Sequence, residues 1–169
     1  MAIATQMSVE EYLRTSFRPD CEFVDGDVLD RNLGEIDHGW VQRAVLFYFM
    51  SREKQLGIFI IQEQRLQINA RHYRVPDLMI LEGVGKPKEQ IITRPPLVCI
   101  EVLSPEDRMS RMLKKVADYL AFGVRYVWVL DPQTKEAFAY TDLENHEVTD
   151  GVLRTENPAI EIPLAEIFE

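Results

Sequence analysis

Two carboxylates interrupt stretches that are otherwise apolar: Asp77 in RVPDLMIL, directly after Pro76, and Glu101 in PLVCIEVL. A buried carboxylate without a partner is costly, so a chain that carries two must compensate them. One compensation is a hard divalent cation. Magnesium binds through one or two carboxylates, with waters and substrate phosphates completing its shell. Pro76 cannot donate to a sheet ladder, which predicts an edge-like or irregular strand with Asp77 opened towards solvent. Cations follow on the next element, where Arg108, Arg111, Lys114 and Lys115 lie on the helix predicted after Glu101. Lys115 falls on a different face from the Met112/Val116 seam and can border a cleft, although Lys114 is adjacent and could face inward instead. The same residues also admit a purely structural account. Glu101 could pair with Lys115 or an arginine to serve the fold, and the basic cluster could be a solvated helix face.

The elements that must position these groups follow from periodicity and punctuation. Residues 8–14 open with Ser8 and place Glu11 three residues later, a capping box for a short helix. Residues 21–29 flank the Asp25-Gly26 turn signal and read as a hairpin. From Asp37 a helix is predicted, with Val41, Ala44, Val45, Tyr48 and Phe49 on one stripe and Gly57 ending it. IFIIQEQRLQI and RVPDLMIL each read as one strand, followed by a polar loop over 82–94. PLVCIEVL is near-continuously apolar, as in a strand buried on both faces. Ser104-Pro105 starts the next helix, with a seam of Met109, Met112, Leu113, Val116 and Leu120 and Gly123 as its C-cap. RYVWVL is a second buried strand, so residues 96–130 form a strand-helix-strand crossover between parallel neighbours. Short antiparallel strands at 135–140, 146–149 and 152–155 and a terminal helix at 164–168 complete an α/β fold with a mixed sheet. With 169 residues and no linker or repeat, a single domain over 1–169 is expected.

Composition narrows the function. The net charge is -9, which excludes a uniformly basic DNA-coating protein because counterion release needs many cations at phosphates. A locally basic cleft remains compatible with it. Cys21 and Cys99 lack zinc-site spacing and read as buried free thiols of a reducing cytosol. The first residues carry no basic-then-apolar leader, and no apolar run reaches membrane-spanning length. A cytoplasmic protein without membrane association is expected. His72 and His146 show no partner pattern, His38 reads as a cap or packing residue at a helix start, and Trp40, Trp128 and the tyrosines fit core or interface packing.

The segments VPDLMIL, CIEVLSP and KKVADYLAFGVRYVWVLDP resemble the Uma-type family of restriction-endonuclease-like proteins, within the PD-(D/E)XK nuclease superfamily. In that superfamily an Asp and a Glu on neighbouring strands hold the metal, and a Lys two residues after the Glu helps position the attacking water. Leu103 stands at that lysine position here. In the Uma-type pattern K-x-x-x-Y-x-x-x-G-V the lysine is carried by the following helix, and Lys115, Tyr119, Gly123 and Val124 match it. Glu22, in CEFVDGDV, resembles the family's E-x-x-x-G position, and His38 its first-helix histidine. Arg111 departs from the pattern, standing where relatives carry Asp four residues before the lysine.

The resemblance implies a restriction-endonuclease-like core with its site at the open edge of the sheet. It implies metal-dependent hydrolysis of DNA phosphodiester bonds, with magnesium, or manganese, on Asp77, Glu101 and the backbone carbonyl of Val102. Lys115 would orient water or stabilise the transition state, and Glu22 would hold the outer water shell. A homodimer is expected, because duplex cutting needs a site per strand and Phe138, Tyr140, Val148, Val152 and Leu153 offer surplus apolar surface. The rival reading is a non-catalytic nucleic-acid or protein interaction module that keeps the fold, favoured by the acidity of the chain.

Overall fold

The computed structural model describes residues 6–31 and 34–169. The leaderless reading of the start concerns residues 1–5, which lie outside the described residues. Helix α1 (Val9–Arg14) is capped as the sequence predicts, Ser8 Oγ accepting the Glu11 N–H and Glu11 reaching back to the Ser8 N–H. Strands β1 (Glu22–Val24) and β2 (Asp27–Leu29) form the expected hairpin, with Asp25 and Gly26 both at positive φ. Helix α2 (Ile36–Met50) stops earlier than predicted, and a short α3 (Glu53–Leu56) precedes Gly57, whose φ of 67° ends it.

Both long strands predicted next are broken in two. IFIIQEQRLQI becomes β3 (Ile58–Gln62) and β4 (Leu66–Asn69), separated at Glu63, where φ is 50°. RVPDLMIL supplies β5 (His72–Arg74) and β6 (Leu78–Glu82), separated at Pro76. The halves join different sheets, because a strand that must serve two layers needs a kink, and Pro76 has no N–H to hold it in one ladder. The loop after β6 is pinned at Ile92, which is buried and exchanges backbone hydrogen bonds with Arg65 and Gln67.

β7 (Val98–Val102) is buried at all five positions, as its composition demands. A turn over 104–107 intervenes before α4 (Met109–Phe122), so Ser104-Pro105 does not start the helix directly. The seam is narrower than predicted: Met112, Lys115, Val116 and Tyr119 are buried, whereas Met109 and Leu113 are exposed. Gly123 closes the helix at φ 107°, and a Cβ there would come within 3.2 Å of the Pro95 ring. β8 (Tyr126–Asp131), β9 (Glu136–Tyr140) and β10 (Asn145–Glu147) follow. β11 (Val152–Thr155) pairs with β12 (Ile160–Pro163), a strand that was not predicted, and α5 (Ala165–Phe168) ends the chain.

The described strands form a six-stranded mixed sheet in the order β10-β9-β8-β7-β6-β3, a four-stranded sheet β2-β1-β5-β4, and the β11-β12 pair. Only β7 and β8 run parallel among them, with α4 as their crossover. Side chains alternate across the six-stranded sheet. One face, including Ile60, Ile80, Ile100 and Trp128, packs on α2, α5 and β11-β12. The other, including Met79, Cys99, Val127 and Val129, packs on α4 and Leu66. The C-terminal residues expected to offer spare apolar surface belong largely to these cores: Val148 and Leu153 are buried, and Phe138 and Tyr140 pack against the second. Among the described residues, no helix is long and apolar enough to cross a membrane.

Candidate active site

The register of β6 on β7 pairs Leu78 with Ile100, Met79 with Cys99 and Ile80 with Val98. Carried one step further, it sets Asp77 opposite Glu101. By alternation both carboxylates then point to the side of Met79 and Cys99, the side covered by α4. The site therefore sits at the ends of two central strands and not at an open sheet edge. Nor is Asp77 opened to solvent: it is 5% exposed, because the kink at Pro76 turns it under neighbouring elements. Asp77, Glu101, Glu22, Val102 and Lys115 line one cleft of about 230 Å³.

Asp77 is held from three directions. Its Oδ2 accepts the Val102 N–H at 2.8 Å and lies 3.3 Å from His38 Nε2. Its Oδ1 accepts from Arg31 Nη2, also at 2.8 Å. The Asp77 carbonyl accepts from Gln42 Nε2 and from the Glu63 N–H, tying the kink to α2 and to the end of β3. His38 is thus neither a cap nor a core packing residue. The N-cap is Glu35, and His38 lies one turn further on, facing the cleft.

Glu101 and Glu22 share one cation. Lys115 Nζ lies 2.9 Å from Glu101 Oε1 and 3.1 Å from Glu22 Oε1. Tyr119, one turn along α4, donates its hydroxyl to Glu101 Oε1 at 2.5 Å. Lys114 is exposed, so of the two adjacent lysines it is Lys115 that faces inward. Glu22 is buried: it also accepts from Arg74 Nη1 at 2.8 Å and from the Val75 N–H at 3.1 Å. Arg74 continues to Asp118, which His72 Nε2 approaches to 3.1 Å, so His72 has a partner after all.

These contacts set the charges. Burial works against ionised Asp77, but His38, Lys115 and Arg31 outweigh it and hold its pKa down to about 2. Burial, aided by the negative charges of Asp77 and Glu22, pushes Glu101 up to about 7 against the pull of Lys115 and Tyr119. Lys115 is raised although burial opposes its charge, because Glu101, Glu22 and Asp77 surround it. His38 is raised too, with burial overcome by the Asp77 carboxylate.

Among the described residues, no group of three or more His, Cys, Asp or Glu forms a metal cage. Two carboxylates and a nearby backbone carbonyl are a hard-oxygen donor set, which suits magnesium completed by water and phosphate and does not suit zinc. Arg31, Arg74, Gln42 and Asp118 were missed by sequence reasoning. Arg74 was findable, since it too is a charge interrupting an apolar strand. Arg31 carries no such local signal, because only the tertiary fold brings it 46 positions along the chain to Asp77.

The model of the Uma2 family, described as "Putative restriction endonuclease", matches residues 9–165. The fold is similar to the crystal structure of a protein from Anabaena variabilis ATCC 29413, described as "a putative nuclease belonging to DUF820". The two are 20% identical, with a TM-score of 0.83 over 96% of this chain and 97% of that one. A cryoEM structure of a DrdV-DNA complex is similar over 63% of this chain and 10% of its own, at 16% identity and a TM-score of 0.42, too partial a likeness to bear on function. No curated protein matches the sequence.

Proposed function

Because the chain belongs to the Uma2 family, we propose that it is a nuclease that hydrolyses DNA phosphodiester bonds with a divalent metal, magnesium or manganese. The observation that carries this reading is the meeting of Asp77, just before β6, Glu101 of β7 and Lys115 of α4 in one cleft. In this reading Asp77, Glu101 and the Val102 carbonyl hold the ion, which when bound polarises the scissile phosphate and activates water. Lys115 stabilises charge that develops on the phosphate, a role that suits a cation held by a rigid helix. Glu22 faces Lys115 and Arg74, so it fixes the Lys115 amine instead of holding outer water. Arg31, Arg111 and Lys115 stand on the cleft walls among Glu22, Glu35, Glu63, Asp77, Glu101 and Asp107, so the metal-free cleft is acidic, and in this reading a bound divalent ion is what offsets the carboxylates and lets a polyanion approach.

A second copy completes the reading for duplex DNA, since each strand needs a site. The surface that supports a homodimer is not the C-terminal half but the outer stripe of α2, where Ile36, Trp40, Phe47 and Met50 are 50% exposed or more. Buried free thiols at Cys21 and Cys99 support a reducing, cytoplasmic setting.

One observation favours the rival, a non-catalytic interaction module: the three buried carboxylates of the cleft, Glu22, Asp77 and Glu101, each already have a cationic side chain beside them. Cleavage of labelled single- and double-stranded DNA in magnesium and manganese, with calorimetric metal titration, separates the two. The nuclease reading expects saturable metal binding and cutting, both lost in Asp77→Asn. No metal binding at millimolar concentrations and no cutting favours the module.

A further inference from the structure

Arg31 precedes α2 on a segment held at its backbone, with its guanidinium inside the cleft. Arg111 Nη2 donates to the Asp30 carbonyl at 2.6 Å, and the Asp30 carboxylate lies 3.6 Å from the Cys21 thiol. From that anchor Arg31 Nη2 reaches Asp77 Oδ1 at 2.8 Å and stands 3.7 Å from Glu63 Oε1. Its side chain is 10% exposed, so it is enclosed by the cleft. This also gives Arg111 a function: it clamps the segment that aims Arg31.

Resting on the nuclease reading, we propose that Arg31 is a resident cation that competes with the divalent ion for Asp77 and, once displaced, binds a phosphate of the substrate. A metal ion and a guanidinium held on the same Oδ1 repel each other, so each weakens the other's hold on Asp77. Other groups around Asp77 are less able to yield. The Val102 N–H belongs to β7, His38 to α2 and Lys115 to α4, each fixed by its element. Arg31 alone of these comes from a connecting segment and has a second carboxylate, the half-exposed Glu63, beside it. A guanidinium presents a planar fork of donors that matches phosphate, so the displaced group has a use in the same cleft. The exchange keeps Asp77 compensated at every stage: by Arg31 before the metal arrives, and by the metal afterwards.

The test is metal affinity and DNA affinity, measured separately in Arg31→Met and Arg111→Ala. Calorimetric titration of the DNA-free protein with manganese is expected to show binding about tenfold tighter in Arg31→Met, since no charge-assisted hydrogen bond must be broken first. Arg111→Ala, which loosens the segment without removing the guanidinium, moves affinity the same way by less and serves if Arg31→Met misfolds. DNA affinity by anisotropy, in saturating calcium at fixed salt, is expected to fall about tenfold in Arg31→Met. Opposite signs in the two assays are the signature, because general damage to the site weakens both. Metal affinity unchanged or weakened in both variants overturns the competition, and DNA affinity unchanged in Arg31→Met overturns the transfer to phosphate. If wild type itself binds no metal, the nuclease reading falls and takes this inference with it. If wild type binds metal and cuts DNA while Arg31→Met titrates identically, only this inference falls.

Discussion

The two faces of the six-stranded sheet solve different problems. Against α2, α5 and β11-β12 lies a core of aliphatic and aromatic side chains, with Phe49 stacked on Trp128 at 6.4 Å between ring centroids. Against α4 lies a smaller apolar cluster that gives way, at the strand ends, to ionised groups. The charged residues buried among those described are Glu22, Arg74, Asp77, Glu101 and Lys115, and every one belongs to the cleft network. Buried ion pairs rarely repay their desolvation, whereas buried apolar surface stabilises directly. The apolar face therefore carries the fold, and on the nuclease reading the charged face is kept for binding metal and phosphate.

Substitutions on the two faces should separate stability from activity. The largest effect is expected from Asp77→Asn, which keeps the shape of the side chain while removing the carboxylate proposed to hold the metal. Magnesium-dependent cleavage of a labelled duplex should fall by roughly a thousandfold or more, the scale of losing a group that acts on developing charge. Substantial residual cutting would remove Asp77 from the site. On the other face, Phe49→Ala should cost about 3–5 kcal/mol in urea melts by opening a core cavity, while the folded fraction cuts at the wild-type rate. Added metal should stabilise this variant and wild type alike, so the gap between them should not close.

Lys115→Met sharpens the contrast. It leaves Glu101 and Glu22 facing each other with one cation fewer, and about 3 kcal/mol of stability should be lost. Saturating calcium should restore part of it, because an ion that binds only the folded state stabilises by mass action. A melt that ignores calcium would show that the lysine is a structural pair and nothing more.

Acid unfolding gives a smaller effect of defined sign. The folded pKa of Asp77, about 2, lies below its ordinary 3.8. A depressed carboxyl stabilises the fold above its unfolded pKa and loses that contribution as pH falls through the folded one. About 2 kcal/mol should therefore disappear between pH 4 and pH 2 in wild type and not in Asp77→Asn. Glu101 acts in the opposite sense, since a carboxyl raised to about 7 binds a proton in the folded state that the unfolded chain has released, so stability drops as pH climbs from about 4.5 to 7. The smallest effect is expected for Lys114→Ala, within about 0.5 kcal/mol and with cleavage unchanged, because that lysine is exposed. A loss of activity there would reverse the choice between the two lysines.

What could be read without coordinates was whatever breaks a local pattern. Asp77 and Glu101 announce themselves because a charge inside an apolar strand is expensive wherever the strand ends up. The hairpin at Asp25-Gly26, the capping box at Ser8 and the crossover helix between β7 and β8 are equally local, each resting on a few adjacent residues. Tertiary packing decided the rest. Where one apolar run is shared between two sheets, as at Glu63 and Pro76, periodicity continues through a break that only the partner strands reveal. Met109 and Leu113 follow the helical seam yet are exposed, since the surface that α4 covers is narrower than its apolar stripe. His38 and Arg31 look unremarkable in sequence and meet at Asp77 only because the tertiary fold brings α2 and Arg31 to the start of β6. The cost of burying a charge depends on the residue, so the chain alone declares which groups need partners. Which partners they find depends on three-dimensional distance, and that the fold alone decides.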